Sequence, residues 1–123
     1  MSQDSTGHQL HIGWLSRHSP TVRQLKELKR IFPDHRLTLD TNAFAGADEI
    51  LERIKKAHYD EIVIVAPLSM IRALTDRGIK PIYAEMKQVP CDSKEVEVRI
   101  KARCYKFVAF NLLEGVHLKM RRL

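Results

Sequence analysis

Glycine and cysteine are both scarce in this chain of 123 residues, which has five glycines and two cysteines. The few glycines form neither Gly-x-Gly-x-x-Gly nor Gly-x-x-x-x-Gly-Lys, so the dinucleotide fingerprint and the P-loop are both missing. Cys91 and Cys104 are too few and too far apart for a zinc knuckle. They read as two reduced thiols of a cytosolic protein, with a late bridge as the alternative. No apolar run approaches the roughly 20 residues that cross a bilayer, so no membrane partner is expected. The opening MSQDSTGHQL has neither a basic start nor an apolar signal core, so residues 1–8 read as a loose leader and the location as cytoplasmic. The six histidines are scattered, and the close pair His8 and His11 has no cysteine or carboxylate nearby, so neither a metal nor a cofactor is expected.

What is present is ordinary globular composition, 44% hydrophobic and 29% charged, which argues against wholesale disorder. The length fits one domain over 1–123 that buries roughly 65% of its unfolded surface. A net charge of +6 favours an anionic partner such as nucleic acid, nucleotide or phosphate. The basic residues are spread along the chain rather than gathered in an arm, so general DNA binding is not expected.

Hydrophobic periodicity gives the element order. LHIGWL (10–15) is a strand. From Pro20, Val22, Leu25, Leu28, Ile31 and Phe32 recur at helical spacing, with Ser19 as N-cap and Pro33 as the stop. HRLTLD (35–40) alternates as a strand, and Asp48 opens a second helix with Ile50, Leu51, Ile54 and Ala57 on its apolar face. EIVIVAP (61–67) is β-branched on both faces and belongs mid-sheet. A third helix spans Met70 to Arg77 and ends at Gly78, and KPIYAEM (80–86) is the fourth strand. The order β-α-β-α-β-α-β predicts an α/β, Rossmann-like three-layer parallel sheet with right-handed crossovers. After it, EVEVRIK (95–101), YKFVAFNLL (105–113) and VHLKMRR (116–122) predict a C-terminal antiparallel β extension over 94–123.

Ligands of such sheets sit at the carboxyl ends of the strands beside helix N-termini, which nominates the loops 16–21, 40–46, 66–70 and 86–90. In WLSRHSPT, Ser16 and Ser19 can donate, Arg17 can grip a phosphate with two N–H bonds, and His18 can act as acid or base. The plain alternative is that Ser19 caps the helix while Arg17 and His18 face solvent. In APLSM, Ser69 either caps the third helix or binds a ligand, and Leu68 and Met70 either pack or offer a shelf to a base. Asn42 and Lys87 are polar loop positions that can reach the same rim. Asp40, Asp60 and Glu85 could imitate a metal nuclease, but Asp60 precedes its strand and so sits at the opposite edge.

The stretch LSRHSPT resembles the histidine phosphatase superfamily, whose first strand ends in Arg-His-Gly followed by Ser or Thr. Arg17, His18 and Thr21 match, and Ser19 replaces the glycine. That likeness implies His18 as phosphorylated nucleophile and Arg17 as clamp, yet it covers five residues and leaves His117 in an alternating strand. A longer resemblance covers residues 11–87. The strand ending Ser16-Arg17-His18, a helix, and IVIVAPLSMIRALTDRGIKPIYAEM are similar to the small stand-alone CRISPR-associated Rossmann-fold (CARF) proteins. This likeness implies a homodimer that binds a cyclic oligoadenylate second messenger of antiviral defence and, as a ring nuclease, cleaves it without metal. By position, Ser16, Arg17 and His18 would hold the scissile phosphate, with Arg17 stabilising charge and His18 protonating the leaving oxygen. Ser69 and the backbone after Pro67 would hold the next phosphate. Apart from that likeness, Ser19, Thr21, Asn42, Leu68 and Lys87 are candidate ligand contacts by their place in or beside the nominated loops. A non-catalytic binding or assembly protein on the same sheet is the alternative.

Overall fold

The computed structural model of the chain describes residues 9–66, 68–116 and 121–123. The expected leader, Pro67 and His117 lie outside the described residues, as does most of the strand expected over 116–122.

Among the described residues nine elements follow in chain order: β1 (Leu10–Leu15), α1 (Val22–Ile31), β2 (His35–Asp40), α2 (Ala47–Ala57), β3 (Glu61–Ile64), α3 (Leu68–Asp76), β4 (Ile82–Val89), β5 (Val98–Ile100) and β6 (Arg103–Leu112). They build a mixed α/β fold on one six-stranded sheet of order β2-β1-β3-β4-β6-β5. β1 pairs in parallel with β2 over six residues and with β3 over four, from Ile12↔Glu61 to Leu15↔Ile64. β3 and β4 meet in parallel at Val63↔Ile82. The last two strands are antiparallel, so the sheet changes character at β4.

Strand alternation divides the apolar residues into two clusters. Ile12, Trp14 and Val63 pack with Leu28 of α1 and with Phe107 of β6. Leu15, Ile62 and Ile64 pack with Ile50 of α2 and Leu74 of α3. Burying each of these aliphatic side chains contributes roughly 1.5–3 kcal/mol before entropy is counted. The mid-sheet placement expected for EIVIVAP follows from this, because β3 has apolar residues in both clusters.

Several boundaries differ from the sequence reading, each for a local reason. α1 is capped by Thr21, not Ser19, and Pro20 precedes the helix rather than opening it. Gln24 N–H donates to Thr21 Oγ1 at 3.1 Å while Thr21 N–H donates to Gln24 Oε1 at 2.8 Å, a reciprocal box that Ser19 cannot make. Phe32 falls outside the helix and donates its N–H to Leu28 O. α2 starts one residue early, at Ala47. β3 ends at Ile64, so Val65 and Ala66 leave the sheet. α3 starts at Leu68, which puts Ser69 inside its first turn and removes it as a cap. Gly78 does end that region, with φ +82°.

β4 runs on to Val89, because β6 lies beside it from Ile82↔Leu112 to Val89↔Cys104. Lys87 is therefore mid-strand opposite Lys106, not in a loop, which corrects its nomination for the ligand rim. The antiparallel segment belongs to the sheet itself: β6 inserts between β4 and β5. EVEVRIK yields only Val98–Ile100 as strand.

Cys91 and Cys104 form a disulfide, contrary to the expected pair of reduced thiols. The chain after β4 carries Cys91 back against β6, and the two Cα atoms come within 5.2 Å, inside the span of such a bond. Among the described residues no helix is long and apolar enough to cross a membrane.

Candidate functional site

The corner after β1 is braced from below. Trp14 is 3% exposed, and its indole N–H donates to His18 O at 2.7 Å. His18 N–H in turn donates to Ser16 Oγ at 3.2 Å, a serine turn that folds the corner back on itself. The backbone is thereby fixed while the Arg17 and His18 side chains stay exposed.

Beside this corner lies a cleft of about 280 Å³ lined by Ser16, Arg17 and His18, by Asn42 and Phe44 after β2, and by Val65 after β3. Three strand exits thus share one rim, the one where parallel sheets bind ligands. Among the described residues no carboxylate pairs with the Arg17 guanidinium. Val65 is 57% exposed, so one wall is apolar.

The second wall is held by Arg53, which the sequence reading passed over. Its guanidinium donates to Asn42 O at 2.9 Å, to Ala43 O, and to Glu49 Oε2 at 2.8 Å, and pairs with Asp40 at 3.4 Å. It also lies over the Phe44 ring at 5.9 Å from the centroid. The Glu49–Arg53 spacing of four on α2 was legible as a helical ion pair. The grip on residues 40–44 was not, because it depends on where β2 ends relative to α2.

The other nominated residues separate. Ser19 and Thr21 line a different depression, about 550 Å³ and open, together with Pro20, Arg23, Glu97 and Val98; His18 borders both. Thr21's hydroxyl is already engaged as a cap. Leu68 and Ser69 are exposed at the start of α3, with Leu68 at 63%. Glu97 is a second unanticipated residue: its Oε2 accepts from Arg23 at 2.7 Å and from Phe107 N–H at 2.9 Å. Arg23 also donates to Phe107 O at 2.8 Å, so α1 is tied to β6.

The acidic residues considered as a nuclease set have separate engagements. Asp40 is paired to Arg53, Asp60 accepts from His11 N–H at 2.7 Å, and Glu85 accepts from Asn111 at 2.9 Å. His11 is 6% exposed and packed into the fold, its ring nitrogens bonded to Ala57 O at 3.1 Å and Thr38 Oγ1 at 2.7 Å. Among the described residues no group of three His, Cys, Asp or Glu is placed to hold a metal ion.

Among the described residues, two partly buried groups have displaced acidities. Burial, then the nearby Asp40 charge, pushes the Tyr59 hydroxyl up from its usual range. Burial, then repulsion from Asp60, pushes the Glu61 carboxyl up. A carboxyl raised on folding contributes stability below its unfolded value, and that contribution is lost as pH rises through the folded one. Glu61→Gln is therefore expected to raise Tm at pH 7, with the gain vanishing below about pH 4, where both states hold the proton. Thermal melts at the two pH values check this; an equal gain at both would assign it to packing instead.

Comparisons of the chain with protein-family models, curated proteins and solved structures find no match.

Proposed function

We propose that the cleft between the β1, β2 and β3 exits binds a phosphodiester ligand, and that this ligand is a cyclic oligoadenylate held on a Rossmann-like, doubly wound sheet. One observation carries the reading: the Arg17 guanidinium, which no carboxylate among the described residues pairs, stands with His18 and Asn42 in a cleft on the strand-exit rim. A guanidinium there offers a phosphate two parallel N–H bonds, and the net charge of +6 draws anions toward it. Two features support the doubly wound description, namely the strand order β2-β1-β3-β4 and the separate clusters on α1 and on α2 with α3. The cyclic oligoadenylate itself comes from the likeness to the CARF proteins at residues 11–87.

Cleavage on this reading uses groups of the chain, the ligand and solvent water. A ribose 2′-hydroxyl gives its proton to water and attacks the adjacent phosphorus in line, a 2′,3′-cyclic phosphate forms, and the bond to the 5′-oxygen breaks. Arg17 stabilises the charge gathering on the phosphoryl oxygens, and His18 gives its proton to the leaving oxygen. Asn42 orients the ribose or base. Two copies related by a two-fold axis would present two such clefts to one ring, so the reading includes a homodimer.

Arg17→Ala and His18→Ala test this with labelled cyclic oligoadenylates incubated without added metal. Arg17→Ala removes charge-assisted bonds worth about 2 kcal/mol, so binding is expected to weaken roughly thirtyfold while Tm stays put. His18→Ala is expected to abolish linear product and to spare most of the binding. Normal binding by both variants, or destabilisation of both, refutes the site. A monomer by light scattering at micromolar concentration refutes the shared ring.

A further inference from the structure

Among the described residues, the segment joining β4 to β5, residues 90–97, is tied to β6 at four points. Cys91 is bridged to Cys104, Lys106 Nζ donates to Glu95 Oε1 at 3.1 Å, Phe107 N–H donates to Glu97 Oε2 at 2.9 Å, and Glu97 N–H donates to Tyr105 O at 2.9 Å. Glu97 also holds Arg23 at 2.7 Å, which links the end of the segment to the first turn of α1. The segment's last residue, Glu97, helps wall the open depression that His18 borders.

The two sulfurs of the bridge are unequal. Cys91 is exposed, whereas Cys104 is 2% exposed. An incoming thiolate can therefore reach only Cys91, which makes Cys104 the leaving sulfur. The Glu95 and Glu97 contacts are partly exposed ion pairs and hydrogen bonds, each weaker than a covalent link.

We propose that Cys91–Cys104 is a thiol-exchange site that accepts a dithiol at Cys91 and thereby unlatches residues 90–97. One thiolate of the dithiol bonds to Cys91 Sγ; the bond between the two cysteine sulfurs breaks, and Cys104 leaves as a thiolate that takes a proton from water. The second thiol of the reductant then attacks its own sulfur in the mixed disulfide and releases Cys91. The protein gains two electrons and two protons, and the dithiol becomes a cyclic disulfide. Freed of its cross-link, the segment is held only by Glu95 and Glu97, and the wall of the depression beside His18 loosens.

Hydrogen exchange of the full chain, oxidised and after treatment with dithiothreitol, tests the latch. Exchange over 91–97 is expected to speed up about tenfold or more on reduction, while β1 stays protected. The Cys91→Ser/Cys104→Ser protein is expected to show the same fast segment with no reductant. Trapping with glutathione is expected to leave the mixed disulfide on Cys91. Equal exchange in both redox states, a mixed disulfide found on Cys104, or free thiols in protein never exposed to reductant would each overturn the proposal. None of these readouts involves a ligand of the Arg17 cleft, so the latch and the phosphodiester reading fail independently.

Discussion

Gly13→Ala is expected to cost about 2–3 kcal/mol, the upper part of the range for overpacking a filled core. A Cβ on Gly13 would lie 2.7 Å from two carbons of the Tyr59 ring and 2.9 Å from a third. The ring has little room to withdraw. Tyr59 is 9% exposed and meets the His11 imidazole edge-on, with centroids 4.8 Å apart. His11 is in turn fixed by bonds to Ala57 O and Thr38 Oγ1. In a domain of this size the loss corresponds to a Tm lower by roughly 8–10 °C. Thermal and urea unfolding measure it. A double variant, Gly13→Ala/Tyr59→Leu, is expected to be less destabilised than the sum of its parts, because the smaller side chain frees the space. Strict additivity would mean that Tyr59 is not what fills the gap at Gly13.

Arg53→Ala is expected to remove about 2–3 kcal/mol and to loosen residues 40–44. Asp40 and Arg53 have side chains only 14% and 20% exposed, so their pairing is partly desolvated, and truncation leaves the carboxylate without its cation, still accepting from Asn42 N–H at 3.2 Å. The carbonyls of Asn42 and Ala43 lose their donor in the same step. Arg53→Lys restores charge but not the several directed N–H bonds, so it is expected to recover less than half of the loss. Exchange rates over 40–44, measured beside urea unfolding, separate this effect from a general loss of stability. Ligand affinity at the Arg17 cleft should fall as well, since Asn42 and Phe44 form one of its walls. An unchanged loop, or a loss below about 0.5 kcal/mol, would show that Arg53 is not the brace of that wall.

The element order was legible because it rests on local pattern. LHIGWL and HRLTLD gave β1 and β2 at their observed bounds, and the helical spacing of Leu25, Leu28 and Ile31 gave α1. The caps were less so. Ser19-Pro20 is as good a start signal as Thr21-x-x-Gln24, and only the side-chain geometry of Gln24 decides between them. The place of Lys87 within a strand was not legible, because a strand's end depends on its neighbour, and β6 lies too far along the chain for local pattern to pair it with β4. The corner Ser16-Arg17-His18 was found as a polar break between strand and helix. Its partners Asn42, Phe44 and Val65 come from other strand exits, and of these only Asn42 had been singled out.

By itself, the sequence determined the first two strands, the three helices to within a few residues, that the third strand lies deep in the sheet, and that the first corner carries exposed donors. Those outcomes follow from side-chain period and from backbone limits within a few residues. The tertiary structure alone decided that β6 enters between β4 and β5, that Cys91 meets Cys104, that Tyr59 occupies the space left by Gly13, and that Arg53 shapes the cleft. Each of those is a contact between residues distant in the chain. Such contacts form only when the whole sheet closes, because no single segment can offset the entropy of bringing them together.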